Sequence, residues 1–380
     1  MKKVLIFSLA YYPSHVSGAE AAVKEITDRI QDIEFHMVTL RFDSAAAKEE
    51  KVGNVLVHRI GSGSYMGKIL FPFSAMLKAR SLNRVQKFDA LWGLMTYMTI
   101  PITLLRLVGV HLPYVITLQD GDPYKKVFGR ARILPFIPLI NMGLRRATVI
   151  QSISNYLATW PGLRGSKAPV EIIRNGANPR DLKGSFDPAM VEALKSKWGK
   201  EEGDVWLVNT SRLEHQKAQD IVIRALKELP ANIKFLIVGG GQDEQMLKDL
   251  AKELGLEGRV MFAGQVTRDE VTAYRRASDI FVANSRSEGL GNAFLSALAS
   301  RLPLITTGVG GIADYAKDQE TAWIVPVDDA HALAEKVQEI IANPGKAKEI
   351  SERGRTLIEN EYDWDKIAVQ MRERVFAKLI

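Results

Sequence analysis

The chain predicts an α/β protein made of two successive Rossmann-like domains, on three observations. Short apolar β-type runs alternate with helix-like segments from end to end, the pattern of parallel strands joined by crossover helices. The alternation breaks once, after Asn175-Gly176-Ala177-Asn178-Pro179, at turn residues and a charged, helix-prone stretch over 188–200, and then restarts. The length, 380 residues, exceeds one ordinary domain and suits two of about 180 residues each.

Strands are expected first at residues 4–9, 35–40, 55–60, 90–93, 114–118, 149–153 and 170–173. After the break they are expected at 205–210, 235–238, 260–262, 280–283, 304–306 and 322–325. Each is an apolar run bounded by turn residues. The expected division is 1–180 and 181–362. The closing stretch, 363–380, reads as a helix with Ile367, Met371, Val375 and Leu379 on one face. No strand follows it, so it is expected to pack back on the first domain.

A hydrophobic share of 46% with 25% charged residues is that of a soluble globular protein. The absence of cysteine excludes disulfides, thiolate catalysis and Cys-ligated metals, and fits a reducing, cytoplasmic compartment. The apolar run 4–10 is too short for a signal peptide and reads as a buried strand. The run 91–110 contains Pro101 and Arg106, which favours strand and helix over a membrane span. The net charge of +7 is uneven, because residues 123–148 hold six Lys or Arg and no acidic residue. A second basic, apolar stretch holds Lys68, Phe71, Phe73, Lys78, Arg80 and Arg84. Such stretches suit an anionic membrane surface; they suit equally a core helix with a solvated basic face. Nucleic-acid binding is not indicated, since no helix-turn-helix, RNA-binding or zinc pattern accompanies the charge.

Four segments could carry chemistry. The run 280–283 leads into Ser285-Arg286-Ser287-Glu288-Gly289-Leu290-Gly291-Asn292 and then an Ala/Leu helix containing Ser296. This sets Glu288 and several backbone N–H groups at the C-terminal end of a strand, where open α/β sheets bind ligands, beside a helix start suited to phosphate. The run 205–210 leads into Arg212-Leu213-Glu214-His215-Gln216-Lys217-Ala218, and two fixed cations after a strand suit a diphosphate. The first strand leads to Ser17-Gly18, where a glycine opening a helix admits a phosphate or simply makes a tight turn. The strand 114–118 ends in Gln119-Asp120-Gly121-Asp122-Pro123, whose aspartates read either as sugar contacts or as turn caps.

Together these segments resemble family 4 glycosyltransferases. Residues 285–299 are similar to the family's Glu-x7-Glu signature, with Ser296 at the second Glu, and 212–218 to its R-L-x-x-x-K-G pattern. The turn at Gly239 is similar to its I-V-G-x-G turn, Gly264 with Val266 to its loop flanking the nucleotide base, and Thr306 to Asp314 to its V-G-G-x-x-E stretch. The resemblance implies a GT-B architecture, two Rossmann-like domains facing across a cleft. The nucleotide sugar would sit on the C-terminal domain and the acceptor on the N-terminal one. It implies a retaining, metal-independent hexosyl transfer with no cofactor, from a nucleoside-diphosphate sugar to a saccharide or lipid-linked hydroxyl. Arg212 and Lys217 would neutralise the leaving diphosphate. Glu288 would hold the sugar, and Gly18, Leu290, Gly291 and Asn292 would lie against the donor. Ser296 would reach the ribose through water. Gln119 stands where many members have a His, leaving Asp120 and Asp122 as acceptor or sugar contacts. Two other readings share the architecture. An epimerase would want His and carboxylate acid–base pairs, which the six histidines, His15 among them, do not assemble; a non-catalytic sugar-nucleotide binder is suggested by Ser296 and Gln119.

Overall fold

The computed structural model describes residues 1–13, 16–184 and 187–380, so that His15 lies outside the described residues. The chain divides into two compact units, one of Met1–Asn175 with Trp364–Ile380 and one of Gly176–Asp363.

The first unit is built on an eight-stranded sheet: β1 (Lys2–Phe7), β2 (Ile33–Leu40), β3 (Glu49–Val52), β4 (Val55–Ile60), β5 (Ala90–Leu94), β6 (Tyr114–Leu118), β7 (Val149–Ser152) and β8 (Val170–Ile172). Their spatial order is β3-β4-β2-β1-β5-β6-β7-β8. All neighbours are parallel except β3 and β4. The inner strands are buried on both faces, hence their near-continuous Val, Ile and Leu. The sequence reading missed β3. It reads Glu-Glu-Lys-Val and lies exposed at the sheet edge, where charge keeps other chains from pairing.

The second unit carries β9 (Val205–Thr210), β10 (Ile233–Val238), β11 (Val260–Gly264), β12 (Ile280–Ala283), β13 (Leu304–Thr306) and β14 (Trp323–Ile324). They lie in the parallel order β11-β10-β9-β12-β13-β14. The order reverses between β9 and β12, and the corresponding reversal in the first sheet lies between β1 and β5. At such points the loops leaving adjacent strands diverge and open a crevice at the carboxyl ends.

The second unit begins earlier in the sequence than the expected 181, for a physical reason. Asp181 is buried against Arg275, which donates to it through Nε and Nη2, and the Ser300 hydroxyl donates to it at 2.8 Å. Arg355 binds the carbonyls of Asp181 and Leu182. A buried carboxylate tied this way draws the Pro179–Lys183 helix into the second unit.

The closing segment belongs to the first unit. It is not one regular helix: Trp364–Gln370 is α-helical, Met371–Val375 widens to a π turn, and Phe376–Lys378 tightens. The widened turn brings Phe376 inward beside Met371 and Val375, all three fully buried. They pack in one core cluster with Ile26, Phe35 and Trp92.

Candidate active site

In the second unit, Lys217 leaves the loop after β9 and Glu288 the loop after β12, the two strands at the reversal point. Their side chains form an ion pair, Lys217 Nζ to Glu288 Oε2 at 2.5 Å, with 13% and 10% of each side chain exposed. Two residues 71 apart in sequence thus meet at the carboxyl ends of neighbouring strands. Arg212 stands further out. Its side chain is 62% exposed and pairs with Glu214 at 2.6 Å, so it is available to a ligand at little cost.

The loops are fixed by their own sequence. Lys217 ends a short 3-10 turn, and Ala218 after it takes a left-handed conformation, φ 52°, before the Gln219–Ala225 helix. Gln219 Nε2 donates to the Ser211 hydroxyl and to the Arg212 carbonyl, both at 3.0 Å. Gly239 follows β10, and a Cβ there would stand 2.1 Å from the Ser211 carbonyl oxygen. Its glycine therefore serves this crossing, while its N–H donates to the Gly264 carbonyl. Gly264 and the half-buried Val266 close β11 beside it. The turn at Gly310 lies directly under the site: a Cβ would meet the Glu288 carbonyl at 2.0 Å, and the Gly311 N–H donates to that same oxygen.

Gly291 caps the Asn292–Ala299 helix in a left-handed conformation, φ 89°. This eight-residue helix presents its N-terminus on the Glu288 loop. The Leu290 side chain is buried and its carbonyl accepts from the Tyr315 hydroxyl. Ser296 has partners within the unit. It is buried, its hydroxyl donates to the Asn292 carbonyl at 3.0 Å and accepts from the Asn178 N–H at 3.1 Å. The hydroxyl thus links helix and chain, and one acceptor lone pair remains on it.

Arg286 was not singled out from the sequence. Its guanidinium binds Asp220 through two nitrogens at 3.1 and 2.8 Å, Asp328 at 2.6 Å and the His215 carbonyl at 2.6 Å. Its backbone N–H donates to the Gln216 carbonyl at 2.8 Å. One side chain thus staples the Glu288 loop to the Lys217 loop, a task suited to a planar five-donor fork. The only sequence signal was an Arg two residues before Glu288 and an Asp three residues after Lys217.

In the first unit, Gly18 opens the Gly18–Thr27 helix after β1, and the Glu20 carboxylate folds back on the Ser17 N–H at 2.7 Å and hydroxyl at 2.5 Å. Gln119 is buried after β6 and its Oε1 accepts from Asn175 at 3.1 Å. Asp120 is buried too, accepting from the Thr96 N–H at 3.2 Å and hydroxyl at 2.8 Å. Asp122 pairs with Lys126 at 2.8 Å and Arg130 at 2.6 Å. The structure therefore gives both aspartates work within the fold. Among the described residues no group of three or more His, Asp or Glu is placed to hold a metal ion.

Burial pushes the Asp120 carboxyl up to about 6 from its ordinary 3.8, the Thr96 donors opposing but not cancelling the shift. The folded protein therefore holds this proton more tightly than the unfolded chain. Stability falls as pH rises between about 4 and 6, by up to about 3 kcal/mol. Asp120→Asn removes the titration and keeps a carbonyl acceptor. Urea unfolding at a series of pH values should show the variant gaining on the wild type from pH 4 to 6 and a constant difference above. Parallel profiles would show that Asp120 ionises normally in the fold.

Residues 190–357 match the family Glycosyl transferases group 1. An uncharacterized glycosyltransferase of Methanocaldococcus jannaschii is 24% identical to the chain, over 98% of it and 97% of that protein. The chain is a glycosyltransferase, similar to those of family 4. It is also 26% identical to a GDP-mannose-dependent alpha-(1-6)-phosphatidylinositol monomannoside mannosyltransferase of Mycobacterium tuberculosis, over 66% of this glycosyltransferase and 71% of that one. Among solved structures, Anabaena HepE in complex with UDP and glucose superposes with a TM-score of 0.81 at 18% identity, covering 99% of this chain and 100% of that one. The fold of this glycosyltransferase is accordingly GT-B. No helix among its described residues is long and apolar enough to cross a membrane.

Proposed function

We propose that this enzyme moves a hexosyl unit from a nucleoside-diphosphate sugar to an acceptor hydroxyl, with retention at the anomeric carbon and without a metal. The observation that carries the reading is the Lys217–Glu288 pair at the reversal point of the second sheet. An ammonium there is held in place before any ligand arrives, and such fixed charge acts where negative charge grows on a leaving diphosphate. Arg212, at the open side of the same loop, adds a second cation. Glu288 accepts hydrogen bonds from sugar hydroxyls and sets the orientation of the anomeric carbon. The helix beginning at Asn292 supplies partial positive charge to the phosphates.

The acceptor in this reading is a saccharide or a glycan precursor carried on lipid, met in the cytoplasm at the inner face of the cell membrane. The absence of cysteine supports the compartment. The M. tuberculosis relative, named for a phosphatidylinositol mannoside, supports the lipid, and its GDP-mannose together with the UDP bound to HepE supports a nucleoside-diphosphate donor.

Calorimetric titration of the protein with UDP, GDP, ADP and TDP in metal-free buffer tests the donor side. Saturable binding of one of them is expected. Failure of all four to bind would overturn the assignment of the second unit as a nucleotide-sugar site.

A further inference from the structure

We propose that the outward face of the Tyr65–Gln86 helix, together with the 133–137 segment beside it, seats on an anionic bilayer surface. The proposal names the surface by which the enzyme proposed above would meet a lipid-borne acceptor.

The helix has two apolar faces, and only one is used by the fold. Phe71, Ala75 and Ala79 are fully buried and turn inward. Met66, Leu70, Phe73 and Leu77 recur at four- and three-residue steps on the opposite side, 57%, 52%, 41% and 61% exposed. At 1.5 Å per residue they form a stripe roughly 17 Å long. The stripe continues onto the neighbouring segment, where the Phe73 and Phe136 rings lie 6.3 Å apart and Leu134 is exposed. Large apolar side chains grouped this way mark a contact surface and not a random scatter.

Charge selects the occupant. Neither 61–88 nor 123–148 contains a single Asp or Glu. The outward stripe passes from apolar to basic along its length, Leu77 being followed by Arg80 and Arg84 at the same helical spacing, both exposed. Arg132 adds an exposed cation immediately before the adjoining segment. Lys78, Lys126 and Arg130 are excluded from this account because Glu49 and Asp122 already pair with them. An apolar stripe bordered by cations is the pattern of a helix lying in the headgroup region, where insertion and attraction to anionic lipid act together. A second copy of the chain, apposed through the same face by a twofold axis, would set Arg80 and Arg84 against their own equivalents or against other cations of that face. The helix lies on the surface and does not cross it, since it is not apolar enough to span.

Sedimentation with vesicles of phosphatidylcholine containing phosphatidylglycerol, against vesicles of phosphatidylcholine alone, tests this without any turnover. A failed donor assignment would therefore leave the result readable. The wild type is expected to sediment with the anionic vesicles and to remain largely in solution with the neutral ones. Two variants, Leu70→Ser/Phe73→Ser/Leu77→Ser and Arg80→Glu/Arg84→Glu, are each expected to lower partitioning at least about tenfold. The replaced side chains are exposed, so thermal melting should stay close to wild type; if the triple variant fails to fold, the charge-reversal variant decides. A wild type that ignores anionic vesicles, or variants that bind as well as it does, would overturn the proposal. So would a lipid-free dimer that the triple variant converts to monomer while vesicle binding persists unchanged, because the face would then belong to a second copy.

Discussion

Lys217→Ala is expected to abolish both nucleoside-diphosphate binding and transfer, whereas Glu288→Gln should abolish transfer and leave the diphosphate bound. Removing one preorganised donor from a transition-state site costs roughly 10²–10³ in kcat, and a full charge facing a leaving diphosphate should cost at least as much. The ion pair adds a second effect. With both side chains about nine-tenths buried, alanine at 217 leaves the Glu288 carboxylate without its partner, at 2.5 Å in the wild type. Breaking a buried pair from one side costs on the order of 3 kcal/mol. Loss of binding in Lys217→Ala could then come from a disturbed loop and not from the missing cation. The double variant Lys217→Ala/Glu288→Gln separates the two, because it removes the stranded charge. Urea unfolding should show the double variant regaining much of the lost stability, while calorimetry shows diphosphate binding still absent. Wild-type nucleotide affinity in Lys217→Ala would sink the site assignment outright.

Phe376→Ala should have the largest effect on stability, about 3–5 kcal/mol, the range for deleting a buried phenyl ring. Phe376 is fully buried, its ring centroid 5.2 Å from Trp92 and 5.7 Å from Phe35. The same segment also makes ion pairs, Arg29 with Asp365, Arg372 with Asp32 and Arg374 with Glu171. These involve exposed side chains and are worth no more than about 1 kcal/mol each. Arg374→Ala is therefore the control, with a loss below about 1 kcal/mol. Amide hydrogen exchange reads the effect by region: Phe376→Ala should speed exchange in β1, β2 and β5, and leave β9, β10 and β12 as they are. Uniform acceleration in both sheets, or none, would mean that the closing segment is not what completes the first core.

The strands were legible in the sequence where burial on both faces made them continuous apolar runs. Residues 55–60, 114–118, 205–210, 280–283 and 304–306 were read with the bounds that the structure shows. The edge strand Glu49–Val52 was not legible, because an exposed edge is built from the charged residues that also make loops. The end of the chain was legible in part. The spacing of Ile367, Met371, Val375 and Leu379 gave the buried face, but a π turn has no residue signature, so the inward place of Phe376 was not seen.

In the candidate site, Lys217 and Glu288 could be found because each closes a strand in a recognisable pattern. What could not be found was their partnership, which depends on β9 and β12 being neighbours. The fold contacts of Arg286 and Ser296 were hidden for the same reason. Their partners, Asp220, Asp328 and Asn178, lie 66, 42 and 118 residues away, and no local pattern announces them.

The first unit is written in two pieces, its final helical turns encoded after the whole of Gly176–Asp363. A ribosome working at roughly 5–20 residues per second takes on the order of ten seconds or more to cross that interval. Throughout it, the nascent first unit waits with Phe35 and Trp92 lacking the side chains that cover them in the finished molecule. The second unit, continuous in sequence, has everything it needs before the first is complete. The order of maturation is thus the reverse of the order of synthesis, and a chain released early would expose an unsealed apolar surface to the cell's chaperones and proteases.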